Sequence, residues 1–487
     1  MMDASIKALY RNFLEWIAGP TGSVLIHVAL LLALLFLVDF SSREREAEIE
    51  VTVVELDDQV LDELLEEFQP PEEMEDLVDV VTPPEVDIDM PPPPDIVDFT
   101  AAAPIDSIAE LDIATDAISP IILKNLAPGN MANRSGEGRA ASIRAYGGRW
   151  GEYAEVAVRR ALAWLVANQN ADGSWGQSDR EAMTGLGILT FLAHGETPAS
   201  TEYGRTVERA IRYLVARQNE HGEFTGTDTT GGTYAQAIAV YAISEAYGMT
   251  RIPSLKPVME KGIQVILDGQ QSKGGFDYRF AKGNRRDTSL GGWCCQAMKA
   301  AYIAGASNPG LAEAMERAVQ DMKSVQREDG RFFYTDRGSH TTHSITAVAV
   351  LSLQLLGHGR APEVRRGLAA LNDADADWSR PPYWPMYAWY YITQAKFHQG
   401  GGPWSRWNSQ FAPAFIRNQN PDGSWNSAGS SAYPNGTTGR ENYHPVYSTT
   451  LAALSLQVYY RFLPTYQPIE DKAFDHKSKD DIQIQIL

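Results

Sequence analysis

Asp287, His340, His343 and His444 are the side chains best suited by type to moving protons near neutral pH, as carboxylates and imidazoles do in general acid–base chemistry. Each falls just before or at the start of an apolar, small-residue stretch, and so do Thr184, Tyr234, Thr288, Tyr383, Trp384, Tyr387 and Tyr447. If those stretches are helices lying side by side, their amino termini meet at one mouth, where backbone N–H groups attract anions and polar groups. Three of the nine histidines, an aspartate and several aromatics gathered there describe a ligand-binding cavity with acid–base capacity. Singly, each has an ordinary explanation: Thr and Asp cap helices, and Tyr and Trp pack. Cys294 and Cys295 adjoin Trp293 in an apolar run and read as small buried residues, because neighbours in sequence rarely bridge each other. No metal site and no cofactor is expected.

A repeat must position these residues. The same turn ends a helix at Gln169 to Trp175 (QNADGSW), Gln218 to Phe224 (QNEHGEF), Gln270 to Phe276 (QQSKGGF), Gln326 to Phe332 (QREDGRF) and Gln419 to Trp425 (QNPDGSW). The spacings are 49, 52, 56 and 93 residues, and the last is near twice the others. A degenerate copy is therefore expected near Leu368 to Trp378 or Gln394, making about six units. In each turn a glycine (Gly173, Gly222, Gly275, Gly330, Gly423) is expected to take the left-handed conformation that ends a helix. The aromatic that follows wedges under the next helix, and the Gln bonds backbone at a neighbouring helix end. A second apolar helix follows each turn, from Met183, over Thr233 to Tyr247, Thr288 to Ile303 and Ser344 to Leu356.

Charge divides the rest of the 487 residues, whose formal net charge is −20. Residues 44–116 hold 25 acidic residues against Arg45 alone, whereas 117–487 hold 38 basic against 34 acidic. The folded part thus lacks the basic field that nucleic acid requires. Ser23 to Val38 (SVLIHVALLLALLFLV), extended by Pro20 and Thr21, has the length and apolarity of a single membrane-crossing helix. No small-residue cleavage pattern follows it, so an uncleaved anchor is expected. Ser23 and His27 share one face of that helix, and a polar pair inside a bilayer turns toward protein or water. The expected organisation is a cytoplasmic amino terminus over 1–19, a transmembrane helix over 20–39 and a disordered acidic, proline-rich stalk over 40–128. A flexible Gly/Arg linker over 129–150, a helical domain over 151–466 and a charged tail over 467–487 complete it.

Two resemblances follow from these residues. Ser23 and His27, the β-prone run Ile49 to Val54 and the prolines at 70–71, 83–84 and 91–94 resemble TonB over residues 20–95. That likeness implies an anchor in the inner (cytoplasmic) membrane, a periplasmic carboxy-terminal domain and ExbB-like and ExbD-like motor partners contacting Ser23 and His27. The carboxy-terminal domain of TonB is not evident, and a helical domain stands in its place. The Gln-to-aromatic turns resemble the squalene-cyclase and protein-prenyltransferase repeat family over 155–465. They imply an all-α fold, an α/α toroid of about six helix pairs. The Asp-rich motif with which squalene-type cyclases protonate an alkene is missing, and Asp373-Ala374-Asp375-Ala376-Asp377 reads as a loop. Asp287 stands too far from Cys294 and Cys295 to copy the prenyltransferase zinc set, and the thioester segment of other relatives is missing as well. Two functions are expected from this: a membrane-anchored binding module moved by a proton motor, or an enzyme acting on an isoprenoid or glycan at the mouth.

Overall fold

The computed structural model describes residues 136–224, 229–336, 338–429 and 445–460. All lie within the compact unit Asp79–Leu487. The span 20–39 with Ser23 and His27, the stalk 40–128, His444 and the tail 467–487 lie outside the described residues. Among the described residues no helix is long and apolar enough to cross a membrane. Pairing of strand type among them is limited to isolated bridges, Gln326 with Phe332 and Phe333 with Thr341.

Helix α1 (Gly136–Tyr146) leads into six helix pairs. The outer members are α2 (Gly151–Ala167), α4 (Gly204–Arg217), α6 (Leu255–Gly269), α8 (Leu311–Ser324), α10 (Pro362–Ala369) and α12 (Gly401–Arg417). They alternate with inner helices α3 (Arg180–His194), α5 (Thr230–Thr250), α7 (Thr288–Ala304), α9 (His343–Leu353), α11 (Pro385–Gln399) and α13 (Pro445–Leu456). Each inner helix packs on the next, and α13 packs back on α3, so the ring closes. The sequence pattern explains which helix goes where. Outer helix α4 buries Val207, Ala210, Ile211 and Leu214, a single stripe at helical spacing. Inner helix α9 is buried at every position from Ser344 to Leu353, as a helix covered on all sides must be.

The repeated turn is a lock between successive pairs. In the five clear copies the Gln Nε2 donates twice, to its own turn glycine carbonyl and to a carbonyl of the next outer helix. The acceptors are Gly173 and Thr206, Gly222 and Val258, Gly274 and Ala314, Gly330 and Glu363, and Gly423 and Ala157, at 2.7–3.2 Å. The last bond runs from α12's turn to α2, so one device both propagates the ring and closes it. The third copy corrects the expectation for Gly275: the left-handed residue is Gly274, with φ 97°. It has the same offset from its Gln as the other four. The turn tryptophans add a further bond, Trp175 Nε1 to the Leu165 carbonyl and Trp425 Nε1 to that of Phe415, both 2.8 Å. The degenerate fifth copy is Asn372 to Trp378, and Trp378 packs on Trp389 at 5.3 Å.

The linker differs from expectation over 136–150, where a helix and a 3-10 turn (Gly148–Trp150) form in place of a flexible joint. Tertiary contacts override the glycine-rich composition. Ile143 and Trp150 are buried, and Arg139 pairs with Glu155 of α2 at 3.3 Å. Glu155 also accepts from Tyr460 at 2.8 Å and faces His194 at 3.1 Å, while His194 Nδ1 meets Glu196 at 2.9 Å. Burial alone would raise Glu155, but His194, then Tyr460 and Arg139, outweigh it and bring it down to about 2. Burial would lower His194, but Glu155 and Glu196 outweigh it and raise it above 6.5. His194 therefore contributes stability that is full below pH 6.5 and lost as pH rises through its raised value. Glu155 contributes stability present above pH 4.5 and lost as pH falls toward 2. The melting temperature should fall as pH rises from 6.5, and His194→Gln should flatten that limb. An unchanged limb in the variant would remove His194 from the account.

Candidate functional site

The amino-terminal end of the inner ring carries a buried carboxylate ringed by hydroxyls. Asp287 has a relative exposure of 0% and is the N-cap of α7, its Oδ1 accepting from the Leu290 N–H at 2.9 Å. A capping role alone needs no more than this. The same oxygen also accepts from Ser289 Oγ at 2.6 Å and from the Tyr234 hydroxyl at 3.4 Å. Tyr234 and Ser289 share a 2.7 Å hydrogen bond, and Tyr387 of α11 reaches the Ser289 carbonyl at 3.5 Å. Residues of three inner helices, α5, α7 and α11, thus meet around Asp287 and Ser289.

Loops complete the group. Arg285 lies 3.4 Å from Asp287 Oδ2, pairs with Asp277, and covers the Tyr278 ring at 4.6 Å. The Tyr278 and Tyr334 hydroxyls bond to each other, and Tyr334 packs on His340 at 4.8 Å. Burial, then the Asp287 charge, pushes the phenols of Tyr234, Tyr278 and Tyr334 upward. Tyr387 rises for the same two reasons. All four are therefore proton-bearing donors at neutral pH. Farther along α7 a second, buried polar group links it to α11. Gln296 Nε2 donates to the Tyr391 hydroxyl at 2.8 Å, the Tyr390 hydroxyl donates to Gln296 Oε1 at 3.2 Å, and Trp293 stacks on Tyr390 at 5.9 Å.

The expected site residues divide. Asp287, Tyr234 and Tyr387 come together, and His340 joins them through Tyr334. Thr184 does not line a cavity: its Oγ1 accepts from the Trp175 N–H at 3.1 Å and is part of the turn lock. Thr449, Thr346 and Gln236 serve Trp425, Phe332 and Phe224 in the same way. Thr288 is likewise structural, donating to the Phe333 carbonyl at 2.7 Å. His343 sits on the rim, where its Nε2 meets Asp373 at 2.9 Å. It lines a pocket of about 230 Å³ with Arg331, Thr342, Ser344, Pro382 and Tyr383, and Tyr383 packs edge-on against Trp384 at 5.7 Å. Tyr447 lies in the first turn of α13, and His444 just outside the described residues. Cys294 and Cys295 are fully buried free thiols, and burial pushes both upward, Cys295 to about 12. Among the described residues no group of three or more His, Cys, Asp or Glu could hold a metal ion.

Ser289, Tyr278, Tyr334 and Arg285 went unrecognised in the sequence. For Tyr278, Arg285 and Tyr334 the signal is loop length: 277–287 and 333–342 are longer than the corresponding segments 176–179, 225–229 and 379–384, whereas Ser289, inside α7, carries none.

No family model matches the chain. Over 92 residues, 19% of this chain, it is 30% identical to the drimenyl diphosphate synthase of Streptomyces showdoensis, and the match spans 17% of that protein's length. Among solved structures, the alpha-1,6-mannanase of a Salegentibacter species aligns over 64% of this chain and 99% of its own at 11% identity, with a TM-score of 0.46. A type II terpene cyclase from Scytonema aligns over 63% and 97% at 14% identity, with a TM-score of 0.44.

Proposed function

We propose that the toroid is an enzyme acting on an isoprenoid-class substrate, with Asp287 as its proton-transfer centre and the mouth tyrosines as the wall against which the substrate lies. The observation that carries this reading is the environment of Asp287. A wholly buried carboxylate is bonded to Ser289 and Tyr234 and faced by Arg285. The two hydroxyls are hydrogen-bonded to each other and to the carboxylate, and a hydroxyl passes a proton by accepting one while releasing another. Asp287 accepts from all of these donors, so it takes up a proton from solvent before it can give one, and the donors then stabilise the negative charge left when that proton departs. The rings of Tyr234, Tyr278, Tyr334 and Tyr387 offer π faces to positive charge developing on a substrate. The 92-residue likeness to drimenyl diphosphate synthase supports the substrate class. Full-length protein incubated with a panel of linear isoprenoids, as free alcohols and as diphosphates, should convert at least one of them. Binding without conversion of any would leave a binding module in place of an enzyme.

The location of the toroid belongs to the same proposal and rests on the sequence. The span 20–39 anchors the chain in the inner membrane with the toroid periplasmic, and Ser23 and His27 contact an ExbB-like and ExbD-like motor. His27→Leu keeps the span apolar, so insertion should survive while co-purification with the motor proteins is lost. Retained co-purification would reduce the anchor to a plain tether.

A further inference from the structure

We propose that Lys299 anchors an anionic group, a carboxylate or a phosphate, of a ligand that enters the lumen at the end opposite the Asp287 mouth. Lys299 is on inner helix α7, three residues past Gln296 and therefore on nearly the same face, the face from which Gln296 crosses to Tyr390 and Tyr391 of α11. Its relative exposure is 0%, and its Nζ has no hydrogen-bond partner. Twelve residues separate it from Asp287, about 18 Å along the helix, so the two groups serve different ends of the barrel.

An ammonium in such a place is destabilising unless something neutralises it. Among the described residues nothing pairs with it. Burial is the one cause of the amine's depression to about 7, with no carboxylate opposing it. Other inner-helix ends hold polar atoms in the same condition: the Oε1 atoms of Gln354, Gln394 and Gln457 are buried without partners. Their Nε2 atoms are already engaged, with the carbonyls of Ala395, Tyr390 and Thr190.

Of the titratable groups at this level, His398 lies on α11, eleven residues past Tyr387 and on the same lumen face, and Glu245 lies eleven past Tyr234 on α5. Lys323, His358 and Glu316 engage one another on the α8 side. His398 is exposed to solvent. Burial, then the Lys299 charge, lowers it to about 4, which puts the two nitrogen bases within electrostatic reach. An anion arriving past His398 would meet an amine that is partly neutral, and would draw a proton onto it.

The test is isothermal titration of the full-length protein slightly above neutral pH, with inorganic pyrophosphate in one arm and octanoate in the other. Each arm is repeated in two buffers of different ionisation enthalpy, to count protons taken up. At least one probe should bind with proton uptake, and the arm that binds distinguishes phosphate from carboxylate. Lys299→Met should weaken that binding by about tenfold or more and abolish the uptake, while its melting temperature rises. Lys299→Gln provides the same test should the apolar variant fail to fold, and Lys273→Met, at an exposed lysine, should match the unaltered protein. Asp287→Asn should bind the probe normally, which separates this site from the proton-transfer reading of the mouth. Failure of both probes to bind, binding without proton uptake, or undiminished binding by the Lys299 variants would overturn the proposal.

Discussion

Asp287→Asn should leave the toroid folded and lower kcat/KM on the proposed isoprenoid substrate by about 100-fold or more, the range in which a positioned acid or base contributes. The substitution separates chemistry from structure. An asparagine Oδ1 still accepts from the Leu290 N–H and from Ser289, so the α7 cap survives, and Arg285 retains Asp277. What disappears is a group that can exchange a proton. Asp287→Ala would be a poorer test, because losing the cap costs about 1 kcal/mol of stability in addition. Matched circular dichroism and melting curves, with kcat/KM measured on the converted isoprenoid, decide the matter. Equal kcat/KM in the asparagine variant would assign Asp287 to capping alone.

Gly274→Ala should destabilise the toroid by about 4 kcal/mol, combining left-handed backbone strain with overpacking. Two independent features of the turn forbid a side chain there. The φ of 97° is one that L-residues rarely adopt, and a Cβ would lie 1.9 Å from the Arg317 carbonyl oxygen of the next outer helix. That oxygen belongs to a helix backbone and cannot move without disturbing the Gln270 bonds to Gly274 and Ala314. Gly283→Ala is the control: a Cβ there meets nothing within 4 Å, so the change should stay within about 0.5 kcal/mol. Urea denaturation of both variants measures the difference. A Gly274→Ala variant as stable as the control would mean that the turn is not the lock described.

The architecture was legible because the turns repeat their chemistry. Gln, Gly and aromatic recur at fixed offsets, each for a reason visible in the hydrogen bonds. Spacing narrowed the degenerate fifth copy to Leu368–Trp378 or Gln394, and in the structure Asn372, Ala376 and Trp378 stand at the offsets of Gln, Gly and aromatic. The mouth was legible only in part. A threonine at the start of an inner helix looks the same in sequence whether it faces the lumen or holds the turn, and Thr184 and Thr288 hold backbone. Tyr278, Arg285 and Tyr334 lie in loops without periodicity, and only the chain's return over α7 brings them to Asp287. Helix α1 was hidden for a related reason. Gly136 and Gly138 argue against a helix locally, and what holds it is remote, through Arg139 to Glu155 and to the His194 carbonyl.

Under the proposed function, Asp287 and its hydroxyl relay deliver a proton to a carbon–carbon double bond of an isoprenoid. Running the isoprenoid incubation in deuterium oxide and weighing the product by mass spectrometry tests this most directly. A proton passing from solvent through Asp287, Ser289 and Tyr234 should place deuterium on a formerly alkenyl carbon of the product, and the Asp287→Asn protein should form little of it. Recovery of every isoprenoid unchanged, or a product without solvent deuterium, would contradict the account.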